Sequence, residues 1–244
     1  HDYEERLTYL NSIKGIQGVI IAPVLDGDEE IEHLFQLKRI NYPFVLLEDV
    51  KGIKANMVSI DNTKAMTKAV KHLIELGHTR IVHFAGPKNA SHALERMRAF
   101  RSVFSESHLA LSPDMIALYS AHYEESYDKT IKYFKSLSVE EYPTAIICFN
   151  DQQALGVLAA MKDLNIRIPA DISLIGNDDI YFAKLYPIPL TTIQAPMYDL
   201  GTKAAEILIR NIESEDMLDV ERVIFDAELV IRESTRALEP HEQK

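Results

Sequence analysis

A single cysteine, Cys148, stands in 244 residues, so no disulfide can close within the chain, and a reducing compartment fits that count. Long hydrophobic runs are missing as well. The longest, such as residues 18–23 and 145–149, have the length of a β-strand and fall far short of the roughly 20 residues a membrane helix needs. Basic charge is scarce: Lys and Arg number 26 against 37 Asp and Glu, a formal net charge of -11. The cations are also scattered singly, as at Lys64, Lys68, Lys71 and Arg80, so this segment is not expected to bind nucleic acid by itself. His1-Asp2-Tyr3-Glu4-Glu5-Arg6 is charged throughout and is no signal peptide. These absences read as a soluble, cytoplasmic protein with no membrane partner. Catalytic signatures are lacking too: no G-x-S-x-G elbow, no P-loop, no G-x-G-x-x-G and, among nine histidines, no H-E-x-x-H. No metal, no cofactor and no catalysis are expected, and Cys148 reads as a small core residue.

What is present is a composition of 47% hydrophobic and 26% charged residues, enough for one large domain or two lobes. Short apolar strands alternate with amphipathic helices along the chain. Strands are expected at 18–23, 44–47, 58–60, 81–85, 116–119, 145–149, 172–176, 223–225 and 228–231. Helices are expected around Ile31, Leu34, Phe35 and Leu37, from the N-cap Asn62 to the stop at Gly77, and over 95–104, 126–137, 152–164 and 197–212. His72 and His78 flank a helix end, where capping is the plain reading, and the polar residues 234–244 are expected to fray. Regular alternation with continuous apolar strands implies an α/β fold of parallel sheets flanked by helices on both faces. In such sheets ligands sit beyond the carboxyl ends of the strands.

Four strand ends deliver polar groups: Glu48-Asp49, Asn150-Asp151, Asn177-Asp178-Asp179, and Gly86-Pro87-Lys88-Asn89 leading to a helix with Arg96 and Arg98. Carboxylates accept from hydroxyls, Arg donates a planar fork and Asn does both, so such a mouth suits a hydroxyl-rich ligand. Each group also has a plainer reading. Asn150 before a helix can be an N-cap, Asp178-Asp179 a solvated turn, Glu48-Asp49 an exposed loop pair, and Arg96 a surface residue.

Five stretches, in order, resemble one family. They are Val70-x-His72-Leu73-Ile74-x-x-Gly77-His78-x-Arg80-Ile81 with Gly86-Pro87; Arg96-x-x-Ala99-Phe100; Asn150-Asp151-x-x-Ala154-x-Gly156; Ile168-Pro169-Ala170-Asp171-Ile172-Ser173 through Gly176-Asn177-Asp178-Asp179; and Pro189-Leu190-Thr191-Thr192-Ile193. Together they look like the lactose-repressor/galactose-repressor family of transcriptional regulators. The resemblance implies a two-lobed periplasmic-binding-protein-like fold, its N-terminal lobe formed by 1–60 plus 194–225 and its C-terminal lobe by 61–193 plus 226–244. The crossings would fall near Ile60-Asp61, Ile193-Gln194 and residues 225–227. It further implies a small sugar-like effector held between the lobes, with Glu48, Arg96, Asn150 and Asp178 at effector-contact positions, and a homodimer. Operator DNA would be bound through a helix-turn-helix headpiece absent from this chain. A strand–helix–strand unit ahead of residues 3–13 is also expected to be missing, leaving the first lobe N-terminally truncated. Departures from the family pattern are Asn177 for an aromatic, Ala99 for Gly and Glu48 for Asp. A free-standing sugar-binding receptor and, more remotely, a small α/β enzyme are the rival readings.

Overall fold

The computed structural model describes residues 15–22, 28–214 and 218–239. The stretch 3–13 and the last five residues of the polar tail lie outside them. Two compact units divide the chain: His1–Asp61, Asn89–His92 and Pro196–Phe225 form the first, and Asn62–Lys88, Ala93–Ala195 and Asp226–Lys244 the second.

The first unit is built on a four-stranded parallel sheet ordered β1 (Val19–Ile21), β2 (Phe44–Leu46), β3 (Asn56–Ile60) and β9 (Arg222–Phe225). Helix α1 (Asp28–Arg39) sends Leu34 and Leu37 onto Phe44, Leu46 and Met57. Helix α6 (Met197–Glu213) sends Leu200, Ala204 and Ile207 onto Val45 and Val58. Successive residues of β2 thus feed opposite faces, which is why the strand is apolar without alternation. The run at 18–23 fares differently. It forms a strand only over Val19–Ile21, and Ile20 is 41% exposed, because β1 pairs with β2 on one side alone among the described residues.

The second unit holds a six-stranded sheet ordered β10 (Glu228–Val230), β8 (Thr191–Gln194), β7 (Ser173–Asp178), β6 (Ala145–Cys148), β4 (Ile81–Phe84) and β5 (Ile116–Ala117). All neighbours are parallel except β10 and β8. Val82, Phe84, Ile146, Cys148 and Leu174 pack with Phe134 of α4 (Tyr123–Lys135) and with Ala154, Val157 and Met161 of α5 (Asp151–Asp163). Cys148 is therefore a buried core residue, its thiol pKa raised by burial. On the other face, α3 (Ser91–Glu106) lays Phe100 against the His83 ring at 5.6 Å.

Helix α2 (Asn62–Glu75) ends as the glycine signal requires. Gly77 has φ +90°, His78 N donates to Leu73 O, and Gly77 N donates to Ile74 O. His78 itself does more than cap: fully buried, it bonds Thr144 Oγ1 and Arg236 O, both at 3.0 Å. The tail through Glu239 does not fray. Ser234 is buried, accepts from Thr191 N and donates to Leu174 O, and Leu238 N donates to Leu76 O. A polar sequence concealed this, because its hydroxyls serve as partners for sheet-edge backbone.

Candidate functional site

The carboxyl ends of β4, β6 and β7 converge in the second unit. Strand β6 leads into Phe149 and Asn150, the N-cap of α5, whose Oδ1 accepts from Gln153 N at 2.7 Å and whose Nδ2 donates to Ala121 O at 3.1 Å. The capping reading of Asn150 holds, and both ends of its amide have protein partners. Gln153, which the sequence did not single out, is fully buried. It accepts from Phe149 N at 2.7 Å and donates to Ser120 O at 2.7 Å, Leu118 O at 3.2 Å and Ala85 O at 3.4 Å, tying the ends of β4, β5 and β6 together.

Arg96 is not a surface residue. It is buried on α3, with Nε donating to Asn62 Oδ1 at 3.0 Å and Nη1 to Phe149 O at 2.6 Å. Its guanidinium lies 5.1 Å from the centre of the Phe149 ring. That ring sits directly over Gly86, where a Cβ would stand 2.3 Å from it, so the glycine is a space requirement. Burial pulls the Arg96 pKa down, while Asp178, Glu95 and Asp151 hold it up. Nη2 has no hydrogen-bond partner among the described residues, so one edge of the fork is left for a ligand.

Asp178 closes β7 with φ +113°, a conformation uncommon for a non-glycine residue, and accepts from Asn177 Nδ2 at 2.5 Å. Asp179 follows at φ +52°, accepting from Arg232 Nη2 at 2.6 Å and from Gln194 Nε2 at 2.8 Å. The turn is thus pinned and ion-paired, not solvated. Behind it lies Asp151, fully buried. Its Oδ1 accepts from Thr192 Oγ1 at 2.6 Å and its Oδ2 from Ile180 N at 2.9 Å.

Glu48 belongs to the first unit and is built separately. Buried just past β2, its Oε2 accepts from Ser91 Oγ at 2.7 Å and pairs with His92 Nδ1 at 3.0 Å. Asp49 pairs with Arg222 at 2.7 Å. The exposed-loop reading of this pair is therefore wrong for Glu48. Its partners lie more than 40 residues away in sequence, where no periodic signal reaches.

Arg96 and Asp178 both lie at the strand-end side of the second unit and influence each other electrostatically, with Asn150, Gln153 and Asp151 fixing the backbone there. Among the described residues no group of three or more His, Cys, Asp and Glu could hold a metal ion, and no helix is long and apolar enough to cross a membrane.

The periplasmic binding protein-like domain family matches residues 70–235. The HTH-type transcriptional repressor PurR of Aliivibrio salmonicida is 33% identical over 244 residues, covering 97% of this chain and 70% of that protein. The chain belongs to the lactose-repressor/galactose-repressor family. A second relative in this family of repressors is the arabinose metabolism transcriptional repressor of Geobacillus stearothermophilus, 28% identical and covering 91% of this chain. The chain spans 62% of that repressor's length. Among solved structures, the LacI-family regulator of Enterococcus faecium with bound ribose superimposes with a TM-score of 0.81 at 24% identity, over 96% of this chain and 84% of that one. The α/β units described above thus share the fold of that LacI-family regulator. The family motifs acquire physical roles here. Thr192 of the P-x-L-T-T stretch is a donor to Asp151, and Asp151 of the N-D stretch holds the backbone of the D-D turn.

Proposed function

We propose that this chain is the effector-sensing part of a transcriptional regulator, taking a small, uncharged, hydroxyl-rich molecule of the sugar class and catalysing nothing. The observation that carries this is the buried Arg96 guanidinium, anchored through Nε and Nη1 and stacked near Phe149, with Nη2 unengaged and the Asp178 charge helping to hold it ionised. A planar donor and a carboxylate acceptor at one strand-end mouth suit vicinal hydroxyls. Arg96 is under the influence of three carboxylates, Asp178, Glu95 and Asp151, so an added phosphate dianion would meet repulsion, and a neutral ligand fits better. Asn150 serves chiefly as a cap that frames the site. Glu48 stays a proposed contact on the family resemblance, its carboxylate already oriented by Ser91 and His92.

For the whole regulator, we propose a cytoplasmic homodimer that binds operator DNA through a helix-turn-helix outside these residues. The net charge of -11 supports assigning DNA contact elsewhere. The ribose of the Enterococcus structure and the arabinose named in the Geobacillus repressor support the sugar class.

Thermal-shift titration with D-ribose, L-arabinose and neutral disaccharides, alongside their phosphates, tests the reading. At least one neutral sugar is expected to raise the melting temperature, and Arg96→Ala to abolish the rise. Stabilisation by a sugar phosphate alone would overturn the neutral-sugar assignment.

A further inference from the structure

Asp151 is the one carboxylate at the strand-end mouth that no ligand can reach, being fully buried beneath the β7 terminus. Its surroundings are specific. Oδ2 takes the backbone N–H of Ile180, the residue that follows the two left-handed aspartates, and Oδ1 takes the hydroxyl of Thr192 on β8. On the third side it meets bare backbone: a Cβ built on Gly176 would lie 2.1 Å from Oδ1. The carboxylate thus occupies space that only a glycine in β7 leaves open. It joins the start of α5 to the end of β7 and to the turn beyond it.

We infer that Asp151 is a positioning residue for the site, holding the Asp178–Asp179 turn in place at the end of β7 through Ile180 N and Thr192 Oγ1. As far as an effector is concerned this rests on the reading above; the hold on the turn does not.

The hydrogen-bond chemistry explains why an aspartate can sit here. Ile180 N–H can only donate, whereas the Thr192 hydroxyl can donate or accept. When Asp151 is ionised both partners donate to it. When it is protonated on Oδ1, that oxygen donates to Thr192 and Oδ2 still accepts from Ile180, so the turn is held in either state. Burial pushes the Asp151 pKa up to about 7; the Thr192 and Ile180 bonds oppose that rise, and the Asp178 and Asp179 charges reinforce it. The other groups facing it are the Arg96 guanidinium on α3, the Cys148 thiol on β6 and the Tyr186 phenol. Protonation of Asp151 therefore changes the charge behind the site without releasing the turn.

Two substitutions separate the roles. Asp151→Asn can accept from Ile180 N and donate to Thr192, imitating the protonated acid. Asp151→Ala leaves both partners unmatched. In the full chain, amide hydrogen exchange at Ile180 is expected to speed up about tenfold or more in Asp151→Ala and to stay within about threefold of wild type in Asp151→Asn, with amides of β4 and β6 unchanged. The 15N–1H resonance of Ile180 is expected to titrate near pH 7 in wild type and to lose that titration in Asp151→Asn. Unchanged exchange in Asp151→Ala would overturn the proposal. If that variant unfolds, an Ile180 resonance in wild type that does not move between pH 5 and 9 would overturn it instead. D-ribose and L-arabinose binding to the same three proteins supplies the separate arm. Failure of every sugar to bind, with the exchange result intact, strikes the effector reading and leaves the positioning role standing.

Discussion

Asp178 shows how much one side chain's surroundings decide. Its neighbour Asp179 is consumed by Arg232 and Gln194, whereas the Asp178 charge is the largest carboxylate influence that holds the Arg96 guanidinium ionised. Asp178→Asn keeps the shape and removes a charged acceptor, and charge-assisted hydrogen bonds contribute about 1.5–3 kcal/mol. Effector affinity is expected to fall roughly ten- to a hundred-fold by isothermal titration, with little change in the unfolding midpoint. His83 makes a different prediction. It is fully buried, bonded to Ile147 O at 3.0 Å through Nδ1, and its Nε2 has no partner among the described residues. Burial lowers its pKa to about 4, against a small rise from the Ile147 bond and a further lowering from Arg96. A depressed folded-state pKa means stability complete above pH 6.5 and lost as pH falls towards 4. Urea titrations of wild type and His83→Phe across that window are expected to diverge, wild type losing on the order of 3 kcal/mol more. Parallel pH profiles would show that His83 is not the acid-sensitive group.

Among the elements, the contact of α5 with α4 sets two effects against each other. Replacing a mid-helix glycine by alanine gains about 1 kcal/mol of helix propensity. At Gly156, however, a Cβ would lie 2.4 Å from Tyr123 O and 2.9 Å from Tyr127 N, both backbone atoms that cannot swing away. Overpacking of that kind costs about 1–3 kcal/mol and here forces the helices apart, so Gly156→Ala is expected to destabilise by about 1–2 kcal/mol net in urea unfolding. The same element scale explains what a reader of the sequence could see. Strands such as β2, β4 and β6 were legible because both their faces are covered, and Gly77 because a left-handed stop has its own residue. The exposure of Ile20 depends on which strands flank β1, and the order of the tail depends on Ser234 meeting Leu174 and Thr191. Neither arrangement leaves a periodic trace. Site residues show the same division. Asn150 and Asp178 stand at strand ends and Arg96 on the helix that follows β4, all in recognisable stretches. Asp151, Gln153 and His92 matter through partners 29 to 44 residues away, beyond the reach of local pattern.

At the scale of the whole molecule, the residues after Asp179 split between two tasks. Ile180 and Tyr186 pack on the core of the second unit, and Ala183 is fully buried. Tyr181, Phe182 and Leu185 are instead 67%, 60% and 56% exposed, an apolar surface on the short 3-10 turn Tyr181–Lys184. The homodimer proposed above is expected to bury this surface. Sedimentation of the intact regulator is expected to give a dimer at micromolar concentration, and Phe182→Glu a monomer that still binds effector. A wild-type monomer at high micromolar concentration would refute this.

The path of the chain has a consequence for its synthesis. Strand β9 completes the first sheet beside β3, and only afterwards does β10 close the edge of the second beside β8, with Ser234 filling the gap at Thr191 and Leu174. A nascent chain that has reached Ala195 on the ribosome therefore carries two unfinished units, each waiting for a strand not yet made. Both sheets thus keep an unpaired strand edge, open to mispairing, until β9 and β10 have emerged.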